Sequence, residues 1–426
     1  MHNTTGIQQI DFGNFTASAR AKHYVNQVLD SDRLSYGEFS RRFEEEFAAL
    51  HQVPHAICCN SGTSALQMAL ACLMETEGWK EGDEVLVPAI TFVATSNMVM
   101  LCRLKPVFVD VDPRTYNIDP ERIEEKITTR TRAIIPVHLF GLPCEMDPIM
   151  DIARRRGLRV IEDSAETMFA RFRGKSVGSF GDIACFSTYV GHMLATGVGG
   201  LATTSDSKYA EILRSYANHG RDPMYTNIDD KGDTAAARSE IASHRYRFVR
   251  FGHSFRITEF ESALGLAQLA EVDSIVERRQ NNAARLTEGL APFGDLIQLP
   301  HIPSDRDHVF MVYPIVIRDS ALDRDELIAF LESCGIETRE MMPLLSQPIY
   351  VERFGDILGQ YPVAQNIEDN GFFIGCHPNL THDDIDYVAE TFTAFFSETK
   401  PSPRHARKQS DGAQRNVQGA IQKENV

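Results

Sequence analysis

The chain has 426 residues, 43% hydrophobic and 24% charged, which is ordinary for a globular protein with a large core. Its net charge of -16 argues against general nucleic-acid binding, and no apolar run approaches the roughly 20 residues that span a bilayer. The eight cysteines form no ligand cluster, which predicts reduced core thiols and no metal site. Because the first residues lack the basic and apolar regions of a secretion signal, we expect a cytoplasmic protein.

The first 50 residues end in an amphipathic helix, predicted over residues 36–50 from phenylalanines spaced three and four apart. A buried strand is predicted at 54–59, and the segment Asn60-Ser-Gly-Thr-Ser64 then opens an apolar helix. Free backbone N–H groups and small hydroxyls at a helix N-terminus favour an anion such as phosphate, although most such openings are simple N-caps.

Strands and helices alternate over the next 120 residues or so. Strands are predicted within 82–95 and at 105–110, 133–138, 158–162, 183–186 and 201–204, with helices at 95–104 and 148–156. Continuous apolar strands interleaved with helices indicate a mostly parallel sheet covered on both faces. The sequence therefore predicts one large α/β domain.

Polar residues follow two of these strands, at the edge where open α/β sheets bind ligands. Asp163 follows the strand at 158–162, and the loop Ser187-Thr-Tyr-Val-Gly-His192 follows the strand at 183–186. An acid in this place most often caps a helix, but it can also pair with a protonated ring nitrogen of a cofactor. The glycines at 197, 199 and 200 predict a loop that approaches a ligand closely.

The C-terminal half begins with a polar excursion at 220–250 that contains Arg245, Arg247 and Arg250. Arginines suit a diphosphate, although clustered arginines are usually solvated. One long helix, 259–278, then leads to a smaller α+β domain with a strand at 309–316 and helices at 324–334 and 383–396. We therefore predict an N-terminal helical segment (1–50), a large domain (51–280), a small domain (281–399) and a disordered tail (400–426).

Together these motifs resemble the DegT/DnrJ/EryC/StrS sugar aminotransferases, which are vitamin B6 enzymes with the aspartate aminotransferase fold (fold type I). The resemblance spans about residues 30–395 and implies a seven-stranded, mostly parallel sheet with a small C-terminal α+β domain. It rests on Ser61-Gly-Thr-Ser64 and on the segments 82–95, 105–112, 134–141, 160–163, 178–187, 255–259 and 380–388.

The resemblance implies roles for the matching residues. The cofactor phosphate would be held by Gly62, Thr63, Ser64 and Ser187. Phe92 would stack on the cofactor ring and Asp163 would pair with its pyridinium nitrogen. Glu166 occupies a place beside the cofactor that is usually glutamine. The family forms homodimers with shared active sites, and Ser254 matches an asparagine that reaches the partner's phosphate.

His192 occupies the place of the Schiff-base lysine, five residues before the first glycine of Gly197-Val-Gly-Gly200, and no lysine occurs between Lys175 and Lys208. Imidazole cannot hold the cofactor covalently, but it suits proton transfer at neutral pH. This replacement is similar to a branch of nucleotide-sugar 3-dehydratases that bind pyridoxamine phosphate (PMP) noncovalently. The resemblance implies that His192 acts as base while a nucleotide-linked 4-keto-6-deoxyhexose loses its C3 hydroxyl, with glutamate as amino donor.

Two other interpretations stay open on the residues alone. The protein could be an aminotransferase that uses histidine as its acid–base group, or an inactive family member. An intact set of Phe92, Asp163 and Ser187 argues against inactivity. The nucleotide, whether GDP, CDP or dTDP, and the hexose are not encoded in any motif that we recognise.

Overall fold

The computed structural model describes residues 8–13, 15–222, 234–244 and 246–398, which fold around a large and a small β-sheet. The helices are α1 (Ala19–Asp30), α2 (Glu38–Leu50), α3 (Gly62–Glu77), α4 (Val93–Leu101), α5 (Met146–Arg156), α6 (Ser207–Ala217), α7 (Ala235–His244), α8 (Glu259–Leu269), α9 (Val272–Leu290), α10 (Arg324–Ser333), α11 (Pro348–Phe354), α12 (Pro362–Asn370) and α13 (His382–Glu398). The strands are β1 (His55–Cys59), β2 (Glu84–Pro88), β3 (Lys105–Val109), β4 (Thr131–Ile134), β5 (Arg159–Asp163), β6 (Arg171–Phe172), β7 (Lys175–Ser176), β8 (Ile183–Ser187), β9 (Gly200–Thr204), β10 (Ile297–Gln298), β11 (Val312–Ile317), β12 (Thr338–Glu340) and β13 (Gly371–Gly375).

The large sheet has seven strands in the order β1-β9-β8-β5-β4-β2-β3. Pairing is parallel from β8 through β3, and β9 runs antiparallel to both β1 and β8. Every residue of β2, β8 and β9 is buried, because helices cover both faces of the sheet. The predicted seven-stranded, mostly parallel sheet is therefore confirmed.

The small sheet has four antiparallel strands in the order β10-β11-β13-β12. One face packs on α9, α10 and α13 around a separate hydrophobic core that includes Leu286, Leu327 and Phe392. Ile10 lies in the same core and pairs with Ile336. The residues around Ile10 thus pack with the small sheet, whereas α1 and α2 pack on helix α8. The predicted domain boundaries stay predictions.

One prediction about the C-terminal half is wrong. The single helix expected at 259–278 is two helices, because α8 ends at Leu269 and α9 begins at Val272. The break at residues 270 and 271 contains neither the glycine nor the proline that usually signals one. The polar excursion at 220–250 contains α7, whose alanines have the highest helix propensity. Residues 223–233 and 245, and the tail predicted from residue 400 onward, lie outside the described residues.

The strand ends position the candidate site residues. Asp163 is the last residue of β5 rather than the first residue after it, and it pairs in parallel register with Cys185 of β8. Ser187, the last residue of β8, lies opposite Gly200 of β9. No helix in the described ranges is both long enough and apolar enough to cross a membrane.

Candidate active site

Asp163 lies at the floor of the site, with 3% of its surface exposed. Its Oδ2 accepts a hydrogen bond from Thr95 Oγ1 at 2.7 Å, and its Oδ1 accepts one from the Ala165 N–H at 3.2 Å. No cationic side chain of the described residues pairs with it. Burial raises the pKa of the Asp163 carboxyl, and these two hydrogen bonds offset only part of that rise. The Asp163 carboxylate can therefore accept a further hydrogen bond, from a cation or a neutral N–H donor.

Helix α4 connects this acid to Phe92. Thr95, in the first turn of α4, donates the hydrogen bond to Asp163, and Phe92 is the N-cap residue directly before α4. Although the neighbouring residues are mostly buried, 58% of the Phe92 surface is exposed. An exposed phenylalanine joined by one helical turn to a buried carboxylate can stack on a planar ring whose nitrogen faces the acid.

The first turn of α3 packs directly against the end of β8. A Cβ added to Gly62 would lie 2.8 Å from Ser187 Cβ, and one added to Gly200 would lie 2.4 Å from the Ser61 carbonyl carbon. Only glycine permits these approaches. The Thr63 side chain is exposed at this turn, whereas the Ser64 hydroxyl is buried and donates to Asn60 Oδ1 at 2.7 Å. Helix amides beside two small hydroxyls can hold a phosphate.

His192 lies in the loop between β8 and β9, partly buried. Its Nδ1 is 3.2 Å from the Ser187 carbonyl oxygen, which can only accept, so Nδ1 carries the proton and Nε2 has the free lone pair. Burial and, secondarily, the charge of Arg279 lower the pKa of His192 to about 4, against the opposing effect of the Ser187 carbonyl. The imidazole is therefore neutral and basic at Nε2 near neutral pH.

The His192 loop is held at its far end by α8. The side-chain amide of Gln268 accepts from the Ala195 N–H at 3.0 Å and donates to the Ala195 oxygen at 2.7 Å. Thr188 and Thr196 join the two sides of the loop through hydroxyls 2.6 Å apart. These contacts hold the loop at Thr188, Ala195 and Thr196, on either side of the histidine.

Glu166 is a second buried acid near Asp163. Its Oε2 accepts a hydrogen bond from the Phe140 N–H at 2.9 Å. Burial raises the pKa of Glu166 to about 7, the Phe140 N–H opposes this rise, and the charge of Asp163 adds to it. Glu166 can therefore hold or release a proton near neutral pH.

Arg279 of α9 is a buried guanidinium without a carboxylate partner among the described residues. Its Nη1 donates to three backbone oxygens, those of Phe310, Met311 and Cys376, at 3.1, 2.8 and 3.2 Å. Desolvation lowers the pKa of Arg279 to about 10, so it stays charged. Its positive charge is part of the field at His192.

The remaining predicted residues bind other side chains of the chain itself. Ser254 is exposed and accepts a hydrogen bond from Arg256 Nη2 at 2.9 Å. Arg247 pairs with Asp222 at 3.4 Å. Arg250 binds both carboxylate oxygens of Glu75, at 3.0 and 2.9 Å, which fixes it against α3. Arg245 lies outside the described residues.

Sequence reasoning missed three residues that shape this site. Thr95 orients Asp163, Gln268 holds the His192 loop, and Arg279 adds charge to it. Thr95 follows Thr91 by four residues, and in the structure their hydroxyls are 3.0 Å apart, but nothing in the sequence singles out Thr95 as the donor to Asp163. The other two come from helices that are distant in sequence, and no local pattern marks them.

These residues fit a pyridoxal cofactor. An anion cradle, an exposed aromatic ring and a buried, incompletely satisfied carboxylate lie at one edge of a seven-stranded sheet, as expected for a fold-type I vitamin B6 enzyme. The chain belongs to the DegT/DnrJ/EryC1/StrS aminotransferase family, whose model matches residues 16–393. The family and its structural neighbours are enzymes that depend on pyridoxal phosphate (PLP) or PMP.

Relatives include both aminotransferase-type enzymes and 3-dehydratases. GDP-perosamine synthase from Caulobacter vibrioides is 38% identical over 370 residues, 86% of this chain and 93% of that protein. The dTDP-4-dehydro-2,6-dideoxy-D-glucose 3-dehydratase from Saccharopolyspora spinosa is 33% identical over 387 residues, 86% of this chain and 82% of that protein.

Among solved structures, GDP-4-keto-6-deoxy-D-mannose-3-dehydratase from E. coli with bound hydrated PLP aligns with a TM-score of 0.79 at 27% identity, over 90% of this chain and 100% of that one. A histidine-to-asparagine mutant of GDP-4-keto-6-deoxymannose-3-dehydratase (ColD), with bound GDP-perosamine, aligns equally well. The chain is thus an enzyme of a family of nucleotide-sugar aminotransferases and related 3-dehydratases.

Proposed function

We propose that this enzyme is a PMP-dependent nucleotide-sugar 3-dehydratase that removes the C3 hydroxyl of a nucleotide-linked 4-keto-6-deoxyhexose. The observation that carries the proposal is His192, an imidazole with a free Nε2 at the place of the family's lysine. The described residues include six lysines, each of them at least partly exposed, and none lies between Lys175 and Lys208 in the chain: Lys22, Lys80, Lys105, Lys126, Lys175 and Lys208. None of them replaces the missing lysine.

In this proposal the residues of the site have separate tasks. Gly62, Thr63, Ser64 and Ser187 bind the phosphate, Phe92 stacks on the ring, and Asp163 keeps the ring nitrogen protonated. When bound, PMP supplies an amine that condenses with the sugar's 4-keto group and a ring that accepts the electron pair left by a departing proton. Ser254 of the partner subunit completes the phosphate site in a cytoplasmic homodimer.

His192 moves the proton. Its Nε2 accepts a proton from the carbon next to the cofactor ring, and the imidazolium then donates it to the C3 hydroxyl, which leaves as water. Because Nδ1–H stays bonded to the Ser187 carbonyl, the ring keeps its orientation in both protonation states. Glutamate supplies the amino group and the two electrons, leaving as 2-oxoglutarate while ammonia is released with the deoxygenated sugar.

The second candidate is a nucleotide-sugar aminotransferase that works without the lysine. The observation in its favour is the 38% identity with GDP-perosamine synthase, higher than with the named 3-dehydratase. The two reactions differ in what happens to the substrate, because the dehydratase removes an oxygen and keeps the carbonyl, whereas the aminotransferase exchanges the carbonyl oxygen for an amine.

The deciding experiment incubates the enzyme with PMP, glutamate and a panel of GDP-, CDP- and dTDP-linked 4-keto-6-deoxyhexoses, followed by mass spectrometry of the sugars. We expect one substrate to lose a single oxygen, with release of 2-oxoglutarate and ammonia. His192→Asn should abolish this product, while His23→Asn, a change at an exposed histidine, should leave it unaltered. An aminated sugar would instead establish the second candidate, and no turnover on the whole panel would refute both.

A second experiment, which needs no sugar, tests whether the enzyme lacks a lysine that binds the cofactor covalently. Borohydride reduction of the PLP-loaded enzyme should attach no cofactor to the wild-type protein, whereas His192→Lys should retain it covalently. The diphosphate roles of Arg245, Arg247 and Arg250 stay predictions, tested by the substrate KM of alanine variants.

A further inference from the structure

The N-terminal segment 8–13 crosses from the small sheet to the loop that carries His192. Ile10 anchors it, because its N–H donates to the Gly335 oxygen at 2.9 Å and its own oxygen accepts from the Glu337 N–H at 3.0 Å. The Ile10 side chain is 1% exposed in the small-sheet core. Paired backbone groups and a buried side chain make this segment an ordered part of the small sheet's unit.

Phe12 is held from the same side. Its N–H donates to Glu337 Oε2 at 2.6 Å, and its ring packs on Phe373 with centroids 5.5 Å apart at 46°. The Arg339 guanidinium lies 6.0 Å from the centroid of the ring. Three contacts from β12, β13 and the residues beside them therefore fix the position of the Phe12 ring.

The fixed ring meets the His192 loop at Gly191. A Cβ added to Gly191 would lie 2.9 Å from Phe12 Cε1, and one added to Gly13 would lie 3.2 Å from the Gly191 Cα. The φ angle of Gly191 is not positive. Glycine is required here because the ring occupies the space of a side chain and not because of the backbone conformation.

We propose that Phe12 is a positioning residue for His192: anchored on the small sheet, its ring supports the loop at Gly191 and so fixes the imidazole one residue further on. The proposal rests on the proposed function, in which His192 is the base. Small displacements of a catalytic group lower the rate more than they lower substrate binding, since binding uses other contacts. Phe12 should therefore govern kcat and leave the KM for the nucleotide sugar unchanged.

The experiment is a double-mutant cycle on the full chain with Phe12→Ala, Gly191→Ala and the pair. Backbone amide exchange of residues 189–196 is followed without substrate, and kcat and KM are followed with PMP, glutamate and nucleotide sugar. Each single change should speed amide exchange in the loop and lower kcat roughly tenfold. In the double variant the removed ring leaves room for the added methyl, so the loss of kcat should be smaller than the product of the single losses.

Phe330→Ala is the matched control. Like Phe12, Phe330 is a half-buried ring that packs on one other phenylalanine, here Phe395, with centroids 5.4 Å apart at 50°. It should reduce thermal stability without changing exchange in the loop. Gly191→Ala removes no contact, so it reports on the loop even where Phe12→Ala lowers stability. Three results would each overturn the role of Phe12: unchanged loop exchange in Gly191→Ala, a kcat loss in the double variant equal to the product of the single losses, or an equal kcat loss in Phe330→Ala. Because exchange is measured without substrate, an aminated product would remove the proposed function and leave this test of the contact intact.

Discussion

Two neighbouring acids on β5 are buried to nearly the same degree, but they differ in the number of hydrogen bonds that their carboxylates accept. Glu162 has no exposed surface and is fully satisfied. It accepts from His138 Nε2 at 3.1 Å and from the N–H groups of Gly178, Phe180 and Gly181 at 2.8, 2.7 and 2.7 Å. Burial alone would raise the pKa of Glu162, but the hydrogen bonds from His138 and the backbone outweigh it and lower the pKa.

Asp163, the next residue, receives only two hydrogen bonds, and burial raises its pKa. Successive side chains of a strand point to opposite faces, so one acid faces the turn at 178–181 and the other faces the site. A saturated buried acid stabilises the fold, whereas an incompletely satisfied one costs stability and is retained for a ligand. The number of hydrogen bonds separates structure from function here, where burial does not.

The largest effect should come from Asp163→Asn. The amide cannot hold the cofactor's ring nitrogen in its protonated form, so we expect a roughly ten-thousand-fold loss of kcat/KM, or about 5.5 kcal/mol. The free energy of unfolding of the cofactor-free protein should fall by less than about 1 kcal/mol, because the carboxylate is poorly satisfied there. Steady-state kinetics and urea unfolding check the two halves. A large loss of stability with activity retained would break the comparison.

Glu162→Gln should do the reverse. It removes a charge that four hydrogen bonds stabilise and places an amide NH₂ group against two N–H donors, so unfolding should become easier by about 3 to 4 kcal/mol. The measurement is chemical denaturation at pH 7. Under conditions in which the variant is folded, kcat should stay within a few-fold of wild type, and a loss as large as that of Asp163→Asn would mean that both acids serve the chemistry.

Glu166→Gln sharpens the comparison by adding a pH dependence. The pKa of Glu166 is about 7 in the folded protein against 4.5 without burial, so the folded state binds the extra proton between these values. Stability from this group is complete below pH 4.5 and is lost as the pH rises through 7, a change of up to about 3 kcal/mol. Relative to wild type, Glu166→Gln should therefore be more stable at pH 8 than at pH 4. Thermal or urea unfolding of the cofactor-free proteins at both pH values measures it, and parallel curves would place Glu166 with the saturated acids.

Much of the fold and the residue types of the site could be predicted from sequence. Buried parallel strands lack alternation and are bounded by turn residues, which placed Asp163 and Ser187 at the sheet edge within a residue or two. The absence of a lysine near His192 is a fact of sequence alone. The roles carried over for individual residues stay predictions.

What the sequence did not predict depends on contacts between distant segments. Nothing local distinguishes Glu162 from Asp163, since the difference lies in which turn each side chain meets across the sheet. The break at Ala270 between α8 and α9 has no glycine or proline, so propensity extends one helix through it. The contact of Phe12 with Gly191 joins residues almost 180 positions apart, and Gly191 has an ordinary backbone angle that gives no signal.

The smallest effect concerns Arg279, the buried cation whose charge acts on His192. With a pKa of about 4, His192 should limit kcat/KM only at acidic pH, since the protonated ring is no base. Arg279→Met removes a positive charge that disfavours imidazolium, so the acid limb should move to higher pH by less than about one unit. Arg279→Lys keeps the charge and should leave the acid limb of the profile in place. Both variants lose hydrogen bonds to the carbonyls of Phe310, Met311 and Cys376, so both should unfold more easily. A pH–rate profile of the three proteins separates charge from packing, because an equal shift in both variants would assign the effect to the lost hydrogen bonds and remove Arg279 from the electrostatics of the site.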